Sequence, residues 1–183
     1  VGISHGDWVG LVCTGDDGVK AMRPSSREID LERMLVQVQH ACRADAPPQQ
    51  LPQLLRHAAH AIARRSIMVV ITGDFEPAAE VEQRLARLSA QHDLVILTVA
   101  DLDPGEPVRH GRQVRDVVSG RGLAGFVAQS PTLMRELEQD RLQRHERRVA
   151  LMRRLGIEHV HLATSAEVVP ELIALVERMR HVR

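Results

Sequence analysis

The hydrophobic and polar positions of the chain alternate between short apolar runs and longer stretches with helical spacing. Residues 66–72 form an uninterrupted apolar run, which predicts a strand covered on both faces, as in a parallel sheet. Residues 94–99 form a second apolar strand, and residues 158–162 form a last one. Because helical patterns lie between these strands, the sequence predicts an α/β fold with a Rossmann-like, mostly parallel sheet.

The N-terminal pattern predicts a β-hairpin. Gly6-Asp7 leads into an apolar run over residues 8–13, a polar turn follows at 15–18, and a second apolar stretch covers 19–22. We expect the first strand to join the parallel sheet and the second to lie antiparallel at its edge. Because the chain opens on a buried hairpin, we expect residues 1–183 to be a single domain that is truncated at its N-terminus.

Apolar positions at helical spacing predict helices over residues 30–41, 51–64, 77–91, 130–155 and 166–180. Ser130 fits the N-cap of the fourth helix, Pro131 fits its first position, and Gly156 fits its C-terminal end. Thr164 or Ser165 fits the cap of the last helix.

The middle of the fourth predicted helix is densely charged over residues 140–148. Arg141, Arg144 and Arg148 share one face of this helix. Such a stripe is able to bind phosphate, but the interspersed glutamates favour a solvated or partner-facing surface. We therefore expect these turns to project from the domain and to stay exposed.

Composition narrows the class of function. Lys plus Arg and Asp plus Glu each total 24, so the chain lacks the basic field typical of nucleic-acid binding. Cys13 and Cys42 match no disulfide or zinc pattern and are expected to be packed thiols in a reducing compartment. No apolar run is long enough to cross a bilayer, so we expect a cytoplasmic domain that makes no membrane contact of its own.

Three aspartates follow predicted strands at the edge where open α/β sheets bind ligands. Asp74 comes after the strand at 66–72, and Asp101 and Asp103 follow the next strand. Carboxylate oxygens suit Mg²⁺ or Ca²⁺, although Asp is also a common turn and cap residue. We favour turn roles for Asp101 and Asp103, which at most lie beside the ligands of a metal at Asp74. For Asp74 both interpretations remain open.

Other patterns indicate chemistry only weakly. Residues 120–125 match G-x-G-x-x-G, but no helix opens within the motif, and we interpret it as a hairpin turn. His57 and His60 fall on the polar side of their predicted helix and are interpreted as solvated. His159 and His161 alternate on one strand face, which we expect to meet a helix or the sheet edge. Neither histidine pair has a third metal ligand in the pattern.

Several of these segments together resemble a known family. Residues 6–11 (GDWVGL) resemble the GD-x-VGL strand of the domain-of-unknown-function family 58, a branch of the von Willebrand factor A-like proteins. Residues 69–75 (VVITGDF) resemble its apolar strand ending in S-D-F, and residues 154–160 (RLGIEHV) resemble its late turn and final strand. The order and spacing of these motifs agree from residue 6 to the end of the chain.

The resemblance implies a metal-ion-dependent adhesion site at the carboxyl edge of the sheet. In the wider fold, this site takes D-x-S-x-S from the first strand, a Thr from a later loop and an Asp after the fourth strand. Asp74 matches that Asp, and Ser25 or Ser26 lies in the loop where the Thr would be. D-x-S-x-S does not occur in the sequence, and Gly73 replaces the family's Ser, so we expect only weak Mg²⁺ binding.

Family members are usually tethered to the bacterial inner membrane by N-terminal helices and are often encoded beside a MoxR-type AAA+ ATPase. The resemblance therefore implies a non-enzymatic protein–protein interaction domain that works with such an ATPase in a chaperone-like or assembly role. Tethering, where it occurs, would use sequence outside this chain. Two alternatives stay open: a Mg²⁺-dependent phosphohydrolase that uses Asp74, and a metal-free scaffold. A missing central strand would also expose strand edges through which the chain could form a homo-oligomer.

Overall fold

The computed structural model describes residues 6–15, 18–43, 51–100 and 130–181, with side chains described as far as residue 178. Within these ranges the elements follow the α/β order that the sequence predicts. They are β1 (Val9–Gly15), β2 (Gly18–Ser25), α1 (Glu28–Ala41), α2 (Leu51–Ala61), β3 (Ile67–Thr72), α3 (Ala79–Gln91), β4 (Asp93–Val99), α4 (Pro131–Leu155), β5 (Glu158–Leu162), a 3-10 turn (Ser165–Glu167) and α5 (Val168–His181).

The chain divides into two compact units. The first comprises Val1–Ala63 and Asp116–Arg121, and the second comprises Arg64–Arg115 and Gly122–Arg183. The first therefore contains β1, β2, α1 and α2, and the second contains the remaining described elements. The expectation of a single domain over residues 1–183 stays a prediction.

In the first unit, β1 and β2 form the predicted hairpin. They pair antiparallel, with Gly15 opposite Gly18, and helices α1 and α2 both contact β1. The expectation that β1 joins the parallel sheet is wrong for the described strands, because β1 and β2 form a two-stranded sheet of their own. Adjacent antiparallel strands need only a short connection, so β1 and β2 pair locally, and this pairing uses one edge of β1.

In the second unit, three strands form a parallel sheet in the order β3-β4-β5. Thr72 of β3 is the register partner of Thr98 in β4, which in turn is the partner of His161 in β5. These three residues mark the carboxyl edge of the sheet. The segment with Asp74 begins just beyond this edge, as the sequence predicts.

The two faces of this sheet meet different helices. On one face, Val95 and Leu97 of β4 and Val160 and Leu162 of β5 pack against α5, through Leu175. On the other face, His159 and His161 of β5 meet α4, which also contacts α3. The expectation that these two histidines face a helix is therefore confirmed.

Strand β3 is covered on one face only. Met68 and Val70 are buried, whereas Ile67, Val69 and Ile71 on the opposite face are 51%, 49% and 65% exposed. The prediction that both faces are covered is therefore wrong. The reason is that α5 packs on the same face of the sheet at β4 and β5 but does not extend over β3. The apolar row formed by Ile67, Val69 and Ile71 is therefore left exposed.

Local capping signals predict the helix ends well. The Ser130 side chain accepts a hydrogen bond from the Leu133 N–H, and Gly156 ends α4 in the left-handed conformation, with φ of 64°. Thr164 forms a capping box with Glu167 before α5.

The prediction of two packed thiols is only partly right, since Cys13 is partly buried but Cys42, just after α1, is exposed.

Candidate functional site

Asp74 lies two residues beyond the end of β3 and is held in place by an arginine from α4. Arg148 donates a hydrogen bond from Nη2 to Asp74 Oδ1 over 2.5 Å. The Arg148 side chain is 3% exposed and the Asp74 side chain 15% exposed. The carboxylate at the sheet edge is therefore compensated by a buried cation of the same unit.

The same helix makes further contacts with the segment after β3. Arg148 Nη1 donates to the Phe75 carbonyl oxygen over 3.1 Å, and its guanidinium lies 5.9 Å from the centre of the Phe75 ring. The neighbouring Arg147 forms an ion pair with Glu76 at 3.3 Å. Two successive arginines of α4 thus fix three successive residues that follow β3.

The buried position of Arg148 corrects one part of the predicted partner-facing stripe. Arg141 and Arg144 are partly exposed and pair with acidic residues of their own helix, Glu138 at 2.9 Å and Asp140 at 2.8 Å. Arg148 instead points inward, because the C-terminal half of α4 packs on the sheet and brings this side of the helix onto Asp74. The prediction that all three arginines are exposed is therefore wrong for Arg148.

Ser25 and Ser26 belong to the first unit, whereas Asp74 belongs to the second. Because the three residues are divided between the two units, the structure of each unit does not test the predicted metal site. That site stays a prediction. Ser25 ends β2, where its hydroxyl donates to Asp30 Oδ2 over 2.7 Å and accepts the Arg27 N–H over 3.2 Å.

Asp30 was not singled out by the sequence patterns, yet it organises the start of α1. It pairs with Arg27 at 2.7 Å and Arg33 at 3.3 Å. The bond from Ser25 and the contacts with Arg27 lower the pKa of its carboxyl group below the ordinary value. The sequence signal for this role is an aspartate in the first turn of a helix, where the helix dipole favours a negative charge.

Asp101, Asp103 and the motif at 120–125 lie outside the described residues. Among the residues that the structure does describe, no group of three or more His, Cys, Asp and Glu side chains is arranged to hold a metal ion. The predicted roles of Asp101 and Asp103 stay predictions.

His159 joins the polar cluster around Asp74 from β5. Its Nε2 forms a hydrogen bond with the hydroxyl of Thr98, a fully buried residue, over 2.8 Å. Burial, followed by the neighbouring His161, His145 and Arg148, lowers the pKa of His159 to about 4, and Asp74 opposes this shift. The ring is therefore neutral near pH 7.

His145 of α4 brings a third imidazole to this cluster. Its ring packs edge-on against His161, with the ring centres 4.7 Å apart. Both rings, together with His159, line a shallow cavity of about 330 Å³ that Met152 and Arg153 also border. Burial, followed by the effect of His145, lowers the pKa of His161. The site therefore combines three imidazoles, two of which have a lowered pKa, with a compensated Arg–Asp pair.

Comparison with protein families gives one match. A family described as Protein of unknown function DUF58 matches residues 2–121 of the chain. The chain belongs to the DUF58 family. No match was found among curated proteins or among solved structures.

The DUF58 match covers β1 to β4 and includes Asp74, Ser25 and Ser26. Arg148 and the three histidines of the cavity lie after the matched range. The sequence did not single out His145, and its only signal was that it lies three residues before Arg148 on the same helix. Among the described helices of this DUF58 chain, none is both long and apolar enough to cross a membrane.

Proposed function

We propose that this DUF58 chain is a non-enzymatic protein–protein interaction domain of the von Willebrand factor A-like type. The observation that carries the proposal is the exposed apolar row of β3, which consists of Ile67, Val69 and Ile71. Exposed contiguous apolar surface is typical of protein interaction sites.

The position of this row supports the binding of an extended segment. β3 is the first strand in the sheet order and pairs with β4 alone among the described strands, so its other edge offers backbone groups. A strand added to such an edge gains main-chain hydrogen bonds, and alternate side chains give specificity. The apolar row would pack against every second residue of the added strand.

The buried pair of Arg148 and Asp74 weighs against the phosphohydrolase alternative. A carboxylate that acts as nucleophile or metal ligand needs its oxygen lone pairs, and one oxygen of Asp74 already accepts a charge-assisted bond. Of the two alternatives, the metal-free scaffold therefore agrees better with this ion pair than the phosphohydrolase does. A phosphatase screen with Mg²⁺ separates the two, since turnover that disappears in Asp74→Ala would favour the enzyme.

A MoxR-type AAA+ ATPase is the partner that we propose, with a chaperone-like or assembly role. Its support is the family resemblance of the motifs at residues 6–11 and 69–75. The apolar row on β3 is the surface through which we propose that this contact is made.

The decisive experiment is a titration of the purified chain with the MoxR-type ATPase of the same genome, by biolayer interferometry. Val69→Glu and Ile71→Glu place a charge on the row, where exposure lets the fold tolerate it. Leu142→Glu is a matched control, because Leu142 of α4 is 50% exposed. We expect at least tenfold weaker binding for the two β3 variants and no change for the control.

Binding that the β3 variants do not alter would contradict the proposed surface, and no binding at all would contradict the partner. Sedimentation of the chain alone tests for a homo-oligomer. A dimer that Val69→Glu dissociates would assign the row to a second copy of the chain instead of the ATPase.

A further inference from the structure

The pair of histidines between α4 and β5 has a geometry that the proposed interaction function does not use. His145 and His161 lie with ring centres 4.7 Å apart and planes inclined by 68°, so they are not stacked face to face. Both line the cavity of about 330 Å³. His161 Nδ1 is buried and has no hydrogen-bond partner among the residues that the structure describes.

The spacing of the two rings matches that of a shared metal ligand pair. Tetrahedral Zn²⁺ binds imidazole nitrogens at about 2.0–2.1 Å, which places the centres of two ligating rings about 5 Å apart. The observed separation of 4.7 Å is close to this value. The distance between the two rings is therefore compatible with one nitrogen of each ring binding a common ion.

We propose that His145 and His161 bind a divalent transition-metal ion such as Zn²⁺ in the cavity between α4 and β5. Imidazole is a preferred ligand of Zn²⁺, Cu²⁺ and Ni²⁺, and a poor one for Mg²⁺. Two protein ligands leave room for water at the remaining positions, and the cavity is large enough to hold it. The site shares no ligand with the one predicted at Asp74, and it lies on the opposite face of the sheet from the row on β3.

The charges around the cavity permit a cation. Arg148 is compensated by Asp74, and Arg141 is compensated by Glu138. Arg153 also borders the cavity, but it is exposed, so solvent screens its charge. His159 borders the same cavity, but its Nε2 is engaged by Thr98, so we assign it no ligand role.

A metal bound in this way would join α4 to β5 and stabilise the second unit. Because the ion binds the folded chain, the stabilisation grows with the ratio of its concentration to its dissociation constant. The melting temperature should therefore rise with added Zn²⁺, and Mg²⁺ at the same concentration should not raise it.

The test is calorimetric titration of the EDTA-treated full chain with ZnCl₂ at pH 7.5, for the wild type, His145→Gln and His161→Gln. A matched control is His57→Gln/His60→Gln, because these histidines are exposed on α2 and each donates Nδ1–H to a carbonyl oxygen of its own helix. Cys42→Ser is a second control, since this thiol is exposed.

We expect one Zn²⁺ site whose affinity falls at least tenfold in each of the two cavity variants and is unchanged in both controls. Circular dichroism checks the fold of each variant, and His145→Gln, at a partly exposed position, keeps the test valid where His161→Gln fails to fold. Absence of Zn²⁺ binding would overturn the proposal, as would binding that persists in both cavity variants or depends on His57, His60 or Cys42.

Discussion

Arg148 and Asp74 form a nearly buried ion pair across 74 residues of sequence, with 2.5 Å between Nη2 and Oδ1. The pair joins α4 to the segment that follows β3, and Arg148 adds a second bond to the Phe75 carbonyl oxygen. The aspartate that family resemblance marks as a metal ligand is thus also a structural anchor. A metal ion that used this carboxylate would have to compete with Arg148 for it.

The first prediction concerns loss of the arginine. Arg148→Met should destabilise the second unit by about 3–5 kcal/mol, because it leaves the Asp74 carboxylate partly buried without a cation. Urea denaturation followed by circular dichroism measures the change. Arg144→Met is the control: it breaks the half-exposed pair with Asp140 and should cost no more than about 1 kcal/mol.

A double-mutant cycle separates the pair from general packing. Arg148→Met combined with Asp74→Leu should be less destabilising than the sum of the single changes, with a coupling on the order of 1–3 kcal/mol. Additive losses would show that Arg148 contributes through Phe75 and its hydrocarbon chain rather than through Asp74.

The second prediction concerns Mg²⁺. The chain should bind it with a dissociation constant on the order of millimolar or weaker, because Mg²⁺ gives up its waters reluctantly and Arg148 already occupies the Asp74 carboxylate. Calorimetric titration of the wild type and Asp74→Ala should give the same weak result. Adding an upstream strand with D-x-S-x-S should tighten binding, and Asp74→Ala should abolish that gain.

Tight Mg²⁺ binding by residues 1–183 alone would contradict this account. It would assign the site elsewhere, most directly to Asp101 and Asp103. Their substitution by Asn would then be the next measurement.

The third prediction concerns Thr98, whose hydroxyl is bonded to His159 Nε2 over 2.8 Å. Thr98→Val keeps the volume but leaves the imidazole nitrogen without this partner, at a cost of about 1–2 kcal/mol. Thr72→Val on the adjacent strand is the control and should cost less, since Thr72 is partly exposed and lies one strand further from His159. Equal losses for the two variants would assign the effect to strand packing.

The fourth prediction concerns pH. Glu167 accepts hydrogen bonds from the Ala163 and Thr164 N–H groups at 2.9 and 3.2 Å, and these bonds lower the pKa of its carboxyl group. Because the folded pKa lies below the unfolded value, the stabilisation is full above about pH 4.5 and is lost as pH falls through the folded pKa.

Glu167→Gln retains an acceptor but no charge, so the wild type should be more stable than this variant at pH 6 and should lose the advantage progressively as the pH falls below about 4.5. Urea midpoints across this range measure the difference. A difference that stays constant with pH would show that the charge on Glu167 does not stabilise the start of α5.

Local chemistry explains which parts of the fold the sequence predicts. Ser130, Pro131 and Gly156 define the ends of α4 through backbone groups and conformations that depend only on near neighbours. The runs over residues 66–72 and 94–99 likewise predict β3 and β4 almost residue for residue. Signals of this kind need no knowledge of distant contacts.

Long-range contacts explain what the sequence does not predict. Val69 and Val70 look equivalent in the apolar run, yet only Val70 is buried, because the reach of α5 decides which side of β3 is covered. Arg148 and Arg144 look equivalent in the charged stripe, but one turn along the helix changes an exposed arginine into a buried one. No pattern within α4 marks Asp74 as its partner.

Helix α4 has one further consequence, which concerns its internal motion. Its 25 residues bury only Arg148, Leu151 and Met152, all in the C-terminal half. Leu137 and Leu142 are exposed in the N-terminal half, where ion pairs within the helix supply much of the support. Amide hydrogens of a single continuous helix should therefore exchange with solvent at graded rates, fastest near Ser130 and slowest near Leu151, and added salt should widen this gradient by screening the exposed pairs.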